Sequence, residues 1–445
     1  MKYPLTELLS HDGFSCPCGK KHYGLLKDCR IGEKALEENL IPFLETYSVR
    51  HPFVLCDGNT YRAAGEQVVA LLKQHNIPYT LHCIAREKPA PDERIVGEAV
   101  MYCDAACDGV LTVGGGVIND TGKILSAARQ IPDIYIATAP SMDGFASATS
   151  SMEREGLKVS LHSRCPDAVI GDAAILASAP TEMIRSGVGD MVAKYVSLTE
   201  WEIAHRLLGE YYCPVVADMV RDALEICVRE AEAAVHGEHE AVCHLTEALV
   251  LSGMAMNYAG VSRPASGMEH YISHILDMQS LEFGTPAAFH GIQCGIGTLL
   301  TLQAYEKLRA ETPDTEKAFA YVRAFSMQNH AERLRTQLGK GAEAMIVGEA
   351  REGKYDLGKH EERLTKILCH WEEILALTEK LPTADELIAF FVKIGHPVSG
   401  IEYGITENAL RESFVLAKDI RDKYVLGRLL WDLGILDEYT KNLSV

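Results

Sequence analysis

The sequence of 445 residues predicts an α/β half on a parallel sheet, residues 1–176, followed by an all-helical half, residues 177–445. Two patterns carry this reading. As far as Ala137, short apolar runs bounded by turn residues alternate with amphipathic stretches, as strand–helix–strand crossovers require. From Thr181 onward apolar residues recur only at three- and four-residue spacing, and no strand-like alternation interrupts them.

Taken in order, a cysteine-bearing leader precedes a short helix over 31–44. Pro52-Phe53-Val54-Leu55-Cys56 then reads as a buried strand ending in Asp57-Gly58-Asn59-Thr60. A helix over 61–74, a strand over 79–84 and a helix over 93–107 follow. The pattern continues with a strand over 109–113, a helix over 117–130 and a strand over 133–137. In the second half, helical spacing runs over 191–208, 215–235, 241–256, 318–338, 361–380 and 407–424. The segments 311–317 and 339–359 read as polar connections.

Composition excludes several classes. A net charge of −19 with no Lys/Arg-rich tract argues against nucleic acid or an anionic membrane surface as partner. No apolar run approaches a membrane span, and Met1-Lys2-Tyr3-Pro4 does not open a secretory signal, so a cytoplasmic enzyme is expected. The 13 cysteines lack the rhythm of a disulfide scaffold and read as reduced, mostly buried thiols. Cys16-Pro17-Cys18-Gly19-Lys20-Lys21-His22 puts two thiols and an imidazole within reach of one zinc. One residue separates the cysteines where two is usual, and no second pair follows, so a turn with exposed side chains is the preferred reading.

Four stretches carry the chemistry. Gly114-Gly115-Gly116 lies between a buried strand and a helix, where glycine lets backbone approach a pyrophosphate and free N–H groups stabilise its charge. It is not the strict G-x-G-x-x-G fingerprint, and a tight strand–helix turn is the alternative. Asp57, ending a strand, can accept from a ribose diol and would repel a 2′-phosphate; it is equally good helix-cap chemistry. Thr138-Ala139-Pro140-Ser141-Met142-Asp143-Gly144-Phe145-Ala146-Ser147 follows another strand and should face the same cleft. His270 and His274 share a helix face, and His290 follows after a Gly-Thr-Pro break, so the three could converge on a divalent metal; a helix with a wet histidine face is the alternative. Asp190 could cap the helix that follows it, or supply a carboxylate to that metal, with Lys194 one turn on.

These blocks resemble the sn-glycerol-1-phosphate dehydrogenases, most closely the bacterial AraM-type branch, within the superfamily of iron-type alcohol dehydrogenases, glycerol dehydrogenases and dehydroquinate synthases. The matching residues are Cys56 to Thr60 with Arg62 and Gly65, the glycine turn, Thr138 to Ser147, and Gly187-Val188-Gly189-Asp190 with Lys194. They continue through Trp201-Glu202-Ile203, Ser262 to Gly267 with Glu269-His270 and Ser273-His274, His290-Gly291, and Ile420 to Tyr424. The resemblance implies a Rossmann-like domain followed by a helical domain, the dehydroquinate synthase-like arrangement, in a homodimer or higher homo-oligomer. It implies that Asp190, His270 and His290 hold one divalent metal, zinc or nickel, and that Asp143, His274 and Lys194 are catalytic. NAD(H) or NADP(H) would contact Asp57, Gly115, Gly116, Val117, Ile118, Asn119, Asp120, Thr138, Ala139, Pro140, Ser141 and Ser147. The implied reaction is reversible reduction of dihydroxyacetone phosphate to sn-glycerol 1-phosphate. A small-polyol dehydrogenase, a dehydroquinate-synthase-like lyase and a non-catalytic nucleotide-binding protein are the alternatives. Lys194 stands where iron-type alcohol dehydrogenases place a fourth ligand, so three protein ligands are expected. His274 would steer the proton, since an ordinary imidazole pKa of about 6.5 lies near working pH. Lys123, Lys158, Lys194 and Arg263 are candidate cations for a substrate phosphate, and the sequence does not choose among them.

Overall fold

Six strands form one parallel sheet: β1 (Asp28–Gly32), β2 (Pro52–Asp57), β3 (Thr80–Ile84), β4 (Gly109–Gly114), β5 (Asp133–Ala137) and β6 (Ala168–Asp172), in the order β1-β6-β5-β4-β2-β3. The chain leaves β2 to form β3 on one side and returns to form β4 on the other. The carboxyl ends of β2 and β4 therefore flank a topological switch point, where open sheets bind ligands. Side chains alternate across the strands. Val54 and Cys56 join Leu111, Val113, Ile134 and Ile170 in a core under the helices Ala35–Thr46 and Glu66–Gln74. Phe53 and Leu55 join Val110, Ile95 and Leu125 under the helices Glu93–Tyr102 and α1 (Gly116–Arg129). Gly122 of α1 allows a close helix–strand approach, because a Cβ there would lie 2.1 Å from Thr112 Oγ1.

The computed structural model describes residues 2–9, 13–86, 89–155 and 157–444. They divide into two compact units. Unit 1 runs to Glu155 and adds Val159–Met191 and Pro214–Val261; unit 2 contains Val192–Cys213, the chain from Ser262 onward, and a short stretch ending at Lys158. The division therefore does not fall at 176/177. The helices α2 (Thr181–Val192), α4 (Pro214–Val235) and α5 (His239–Ala259) lie wholly or mostly with the sheet. The helix α5 packs on β1 and on the short Gly144–Ala146 turn. Unit 2 contains α3 (Lys194–Leu208), α6 (Met268–Phe283), α7 (His290–Leu308) and the helices that follow. From Thr181 onward the described residues contain no strand, as the spacing predicts. Among the described residues, no helix is long and apolar enough to cross a membrane.

Several boundaries differ from expectation. Ile31 belongs to β1, and the helix begins only at Ala35. The strands β1 and β6 escape sequence reading because Arg30 interrupts β1 and only Ala168 to Ile170 precede Gly171 and Asp172 in β6. The segment 318–338 is two helices, Thr315–Ala324 and Met327–Leu338, with Ser326 capping the second; the supposed connection 339–359 holds the helix Gly341–Glu352.

Asp133 opens β5 fully buried, and its Oδ1 accepts from Thr112 Oγ1 at 2.6 Å. Burial, with the Asp167 carboxylate adding to it, raises its pKa to about 7. An unfolded aspartate titrates near 4, so between about pH 4 and 7 the folded chain holds one proton more than the unfolded chain. Stability should fall as pH rises through that window. Urea unfolding at pH 5 and pH 8 should show this loss, and Asp133→Asn should flatten the slope.

Candidate metal centre and cofactor cleft

Unit 2 brings His270 and His290 together. The ring of His270, on the first turn of α6, lies 5.1 Å edge-on from that of His290, the first residue of α7. His270 Nδ1 donates to the fully buried Glu269 carboxylate at 2.8 Å, which commits the ring proton to Nδ1. The partner of His290 Nδ1 is Ser273 Oγ at 3.1 Å. That hydroxyl gives its own hydrogen to Gln293 Oε1 at 3.0 Å, and the Gln293 amide is oriented by donating to Asp277 Oδ1 and the Ala288 carbonyl. Ser273 must therefore accept from His290. Both imidazoles are fixed as Nδ1–H tautomers, and each presents Nε2 as a lone-pair donor, as metal-binding histidines do.

Cys294, four residues after His290 on α7, puts its Sγ 3.6 Å from His290 Nε2, within the same group of ligand atoms. Burial raises its pKa, but the adjacent His270 and His290 outweigh burial and lower it overall. Sequence reasoning did not single out this thiol. Its i, i+4 relation to His290 was the available signal.

His274 stacks on His290 with ring centroids 5.9 Å apart, and its Nδ1 has no hydrogen-bond partner among the described residues. Burial, then the charges of Arg421 and Lys158, hold its pKa well below the ordinary value. It is therefore a neutral base at neutral pH, not a group poised at half-protonation. Lys194 is fully buried and donates to the Ala265 carbonyl at 3.0 Å, bracing the Ser262–Gly267 segment. Arg263 is also committed, with two bonds to Glu210 and one to the Tyr424 carbonyl.

In unit 1, Asp190 lies inside α2 and does not cap the next helix. It is buried, and its Oδ2 accepts from the Asp143 backbone N–H at 2.8 Å. The Asp143 carboxylate accepts from Ser252 Oγ at 2.8 Å. Asp190 stands two residues before Val192, where the chain passes into unit 2.

Several of the cofactor residues predicted from sequence stand at the carboxyl ends of β2, β4 and β5, whereas Ile118 packs in the core beside Phe53 and Leu55. Asp57 ends β2, Gly114 ends β4, and Thr138 follows β5, whose backbone N–H donates to the Gly114 carbonyl at 3.2 Å. Asp57 Oδ1 caps the following turn by accepting from Asn59 and Thr60. The helix α1 begins after Gly115 with no side-chain cap, which leaves its first N–H groups to a ligand or to water. Asn119, one turn on, is fully buried with both amide atoms unpaired among the described residues. A buried amide so placed costs free energy unless a ligand satisfies it, which fits a bound dinucleotide. Lys123 is not available to phosphate. It is fully buried, pairs with Asp120 at 2.8 Å, and donates to the Gly144 and Thr149 carbonyls and to Ser147 Oγ.

The sequence model of the iron-containing alcohol dehydrogenases matches residues 30–180. A glycerol-1-phosphate dehydrogenase, NAD(P)+, of Halalkalibacterium halodurans is 34% identical over 325 residues, 72% of this chain and 81% of that one. The chain belongs to the glycerol-1-phosphate dehydrogenase family. The family member of Bacillus licheniformis is 29% identical over 425 residues, 95% of this chain and 93% of its own. Among solved structures, 1,3-propanediol oxidoreductase superposes with a TM-score of 0.63 at 15% identity, covering 94% of this chain and 100% of that one. Glycerol dehydrogenase from Schizosaccharomyces pombe gives 0.61 at 14%, covering 96% and 92%. These two likenesses bear on the fold alone.

Replacing Ser273 with Ala removes the acceptor that orients His290. Metal affinity, measured by competition with a chromophoric chelator, should fall roughly 10- to 100-fold while the thermal midpoint changes little.

Proposed function

We propose that the chain interconverts dihydroxyacetone phosphate and sn-glycerol 1-phosphate with NAD(H) or NADP(H), using one divalent metal, zinc or nickel, held by Asp190, His270 and His290. Family membership supports the reaction, and the pair of Nε2-presenting imidazoles is the observation that carries the metal. A carboxylate and two imidazoles suit either ion, with a coordination position left for substrate. When bound, the metal polarises the substrate carbonyl and the nicotinamide supplies hydride.

The chain's own residues do the remaining work. Glu269 and Ser273 fix the two imidazoles, and Asp143 holds Asp190 through its backbone N–H. Gly115 to Asn119 receive the dinucleotide phosphates, Asp57 the ribose, and Thr138 to Ser141 the nicotinamide half, with Asp120 and Ser147 shaping the cleft through Lys123. His274, kept neutral by burial, starts as a proton acceptor in the oxidation direction and returns the proton to the substrate oxygen in reduction. Lys194 positions the histidine-bearing segment through Ala265. Lys158 and Arg421 are the cations assigned to the phosphate. Both bear on His274 electrostatically, and Lys158 Nζ also bonds Asp277 one turn further along α6. The same reading carries a cytoplasmic homodimer, expected from the resemblance alone.

The test is a paired assay with sn-glycerol 1-phosphate and its 3-phosphate enantiomer, before and after chelation. Turnover should be confined to the 1-phosphate and abolished by chelation, and His270→Ala should lose both metal and activity. Activity surviving in metal-free protein overturns the mechanism. Arg421→Ala should raise KM for dihydroxyacetone phosphate about 10- to 100-fold, the ~1.5–3 kcal/mol of a hydrogen bond to a charged group. Unchanged KM would remove Arg421 from the phosphate site.

A further inference from the structure

The leader holds a second cluster of soft ligands. Phe14–Ser15 and Lys21–His22 pair as a minimal antiparallel hairpin, with Phe14 opposite His22. Its tip is closed by bonds from Cys16 N–H to the Lys20 carbonyl and from Gly19 N–H to the Cys16 carbonyl, both at 3.0 Å, with Gly19 at φ +86°. A turn is present, as the sequence suggests, with Pro17, Lys20 and Lys21 exposed, but its three candidate ligands are not. Cys16 is buried and His22 is 1% exposed, with Cys18 half-buried between them.

His22 Nδ1 lies 2.8 Å from the Tyr258 carbonyl of α5. A carbonyl only accepts, so the ring proton is on Nδ1 and Nε2 carries the lone pair. That lone pair faces sulfur, with Cys18 Sγ at 3.3 Å, and Cys16 Sγ belongs to the same group of ligand atoms within 4.8 Å of one another. A zinc tetrahedron with arms of about 2.3 Å to sulfur and 2.0 Å to nitrogen spaces its ligand atoms roughly 3.5–3.8 Å apart. Cys18 and His22 are near that spacing already. A backbone carbonyl behind the imidazole is the outer partner that zinc-bound histidines use.

We propose that Cys16, Cys18 and His22, all in unit 1, hold a Zn2+. Two thiolates and one imidazole supply three of the four ligands of a tetrahedral zinc. Two-residue strands do not hold together in water unaided, and a metal supplies what so small a hairpin cannot bury. Reduced thiols, as an oxidant-free compartment maintains, are the form such a site needs.

The experiment uses full-length His270→Ala protein, which leaves the leader cluster intact and isolates it from the proposed catalytic metal. Elemental analysis should find one zinc per chain, and zinc-edge X-ray absorption should find at least two sulfurs and one nitrogen around it. Adding Cys18→Ser should lower the zinc content at least tenfold and open the chain to proteases between residues 13 and 24. Zinc-free His270→Ala protein, zinc bound without sulfur, or a Cys16–Cys18 disulfide in freshly purified protein would each overturn the proposal. If the catalytic reading alone is wrong, wild-type protein still binds this one zinc.

Discussion

The two hydrogen bonds that lock the Nδ1 protons of His270 and His290 are the constraint on which the chemistry of unit 2 rests. An imidazole free to exchange tautomers presents a lone pair only part of the time. Here Glu269 and the Ser273–Gln293–Asp277 chain decide the matter before any ion arrives. The buried Glu269 carboxylate is itself restrained, because Gly267 N–H donates to it at 2.7 Å. The bend that opens α6 thus orients a side chain two residues later. A Cβ on Gly267 would come within 2.6 Å of Glu200 and 2.8 Å of Glu269, so glycine is required for both carboxylates to sit there.

Much of this was legible in the sequence, and the failures have physical causes. The helical half declared itself through spacing, and β2, β4 and β5 through continuous apolar runs buried on both faces. The strands β1 and β6 did not, because Arg30 interrupts the first and the second offers only three apolar residues, Ala168 to Ile170, before Gly171 and Asp172. Breaks inside helical segments were equally hidden, since Phe325 continues the apolar stripe while Ser326 ends one helix and caps the next. Spacing joined His270 to His290, but Cys294 passed as one more apolar residue of a helix that is buried on nearly every side.

Cations were the least legible feature. From sequence, Lys123, Lys194 and Arg263 stood beside Lys158 as phosphate candidates in a chain of net charge −19, with nothing to choose among them. Folding assigns each to carbonyls or a carboxylate inside its own unit, where an unpaired charge would be costly. Their positive charge is spent on shaping loops.

The interleaving of the chain has a consequence for synthesis. The sheet of unit 1 is complete in sequence by Asp172, yet α5, which covers β1, ends only at Ala259. In between, Val192–Cys213 has already been given to the other unit. On the ribosome the early strands must therefore wait, partly uncovered, for almost ninety further residues before their last covering helix emerges. A fragment cut after residue 176 would keep its strands but lack that cover, and it would aggregate where the intact chain folds.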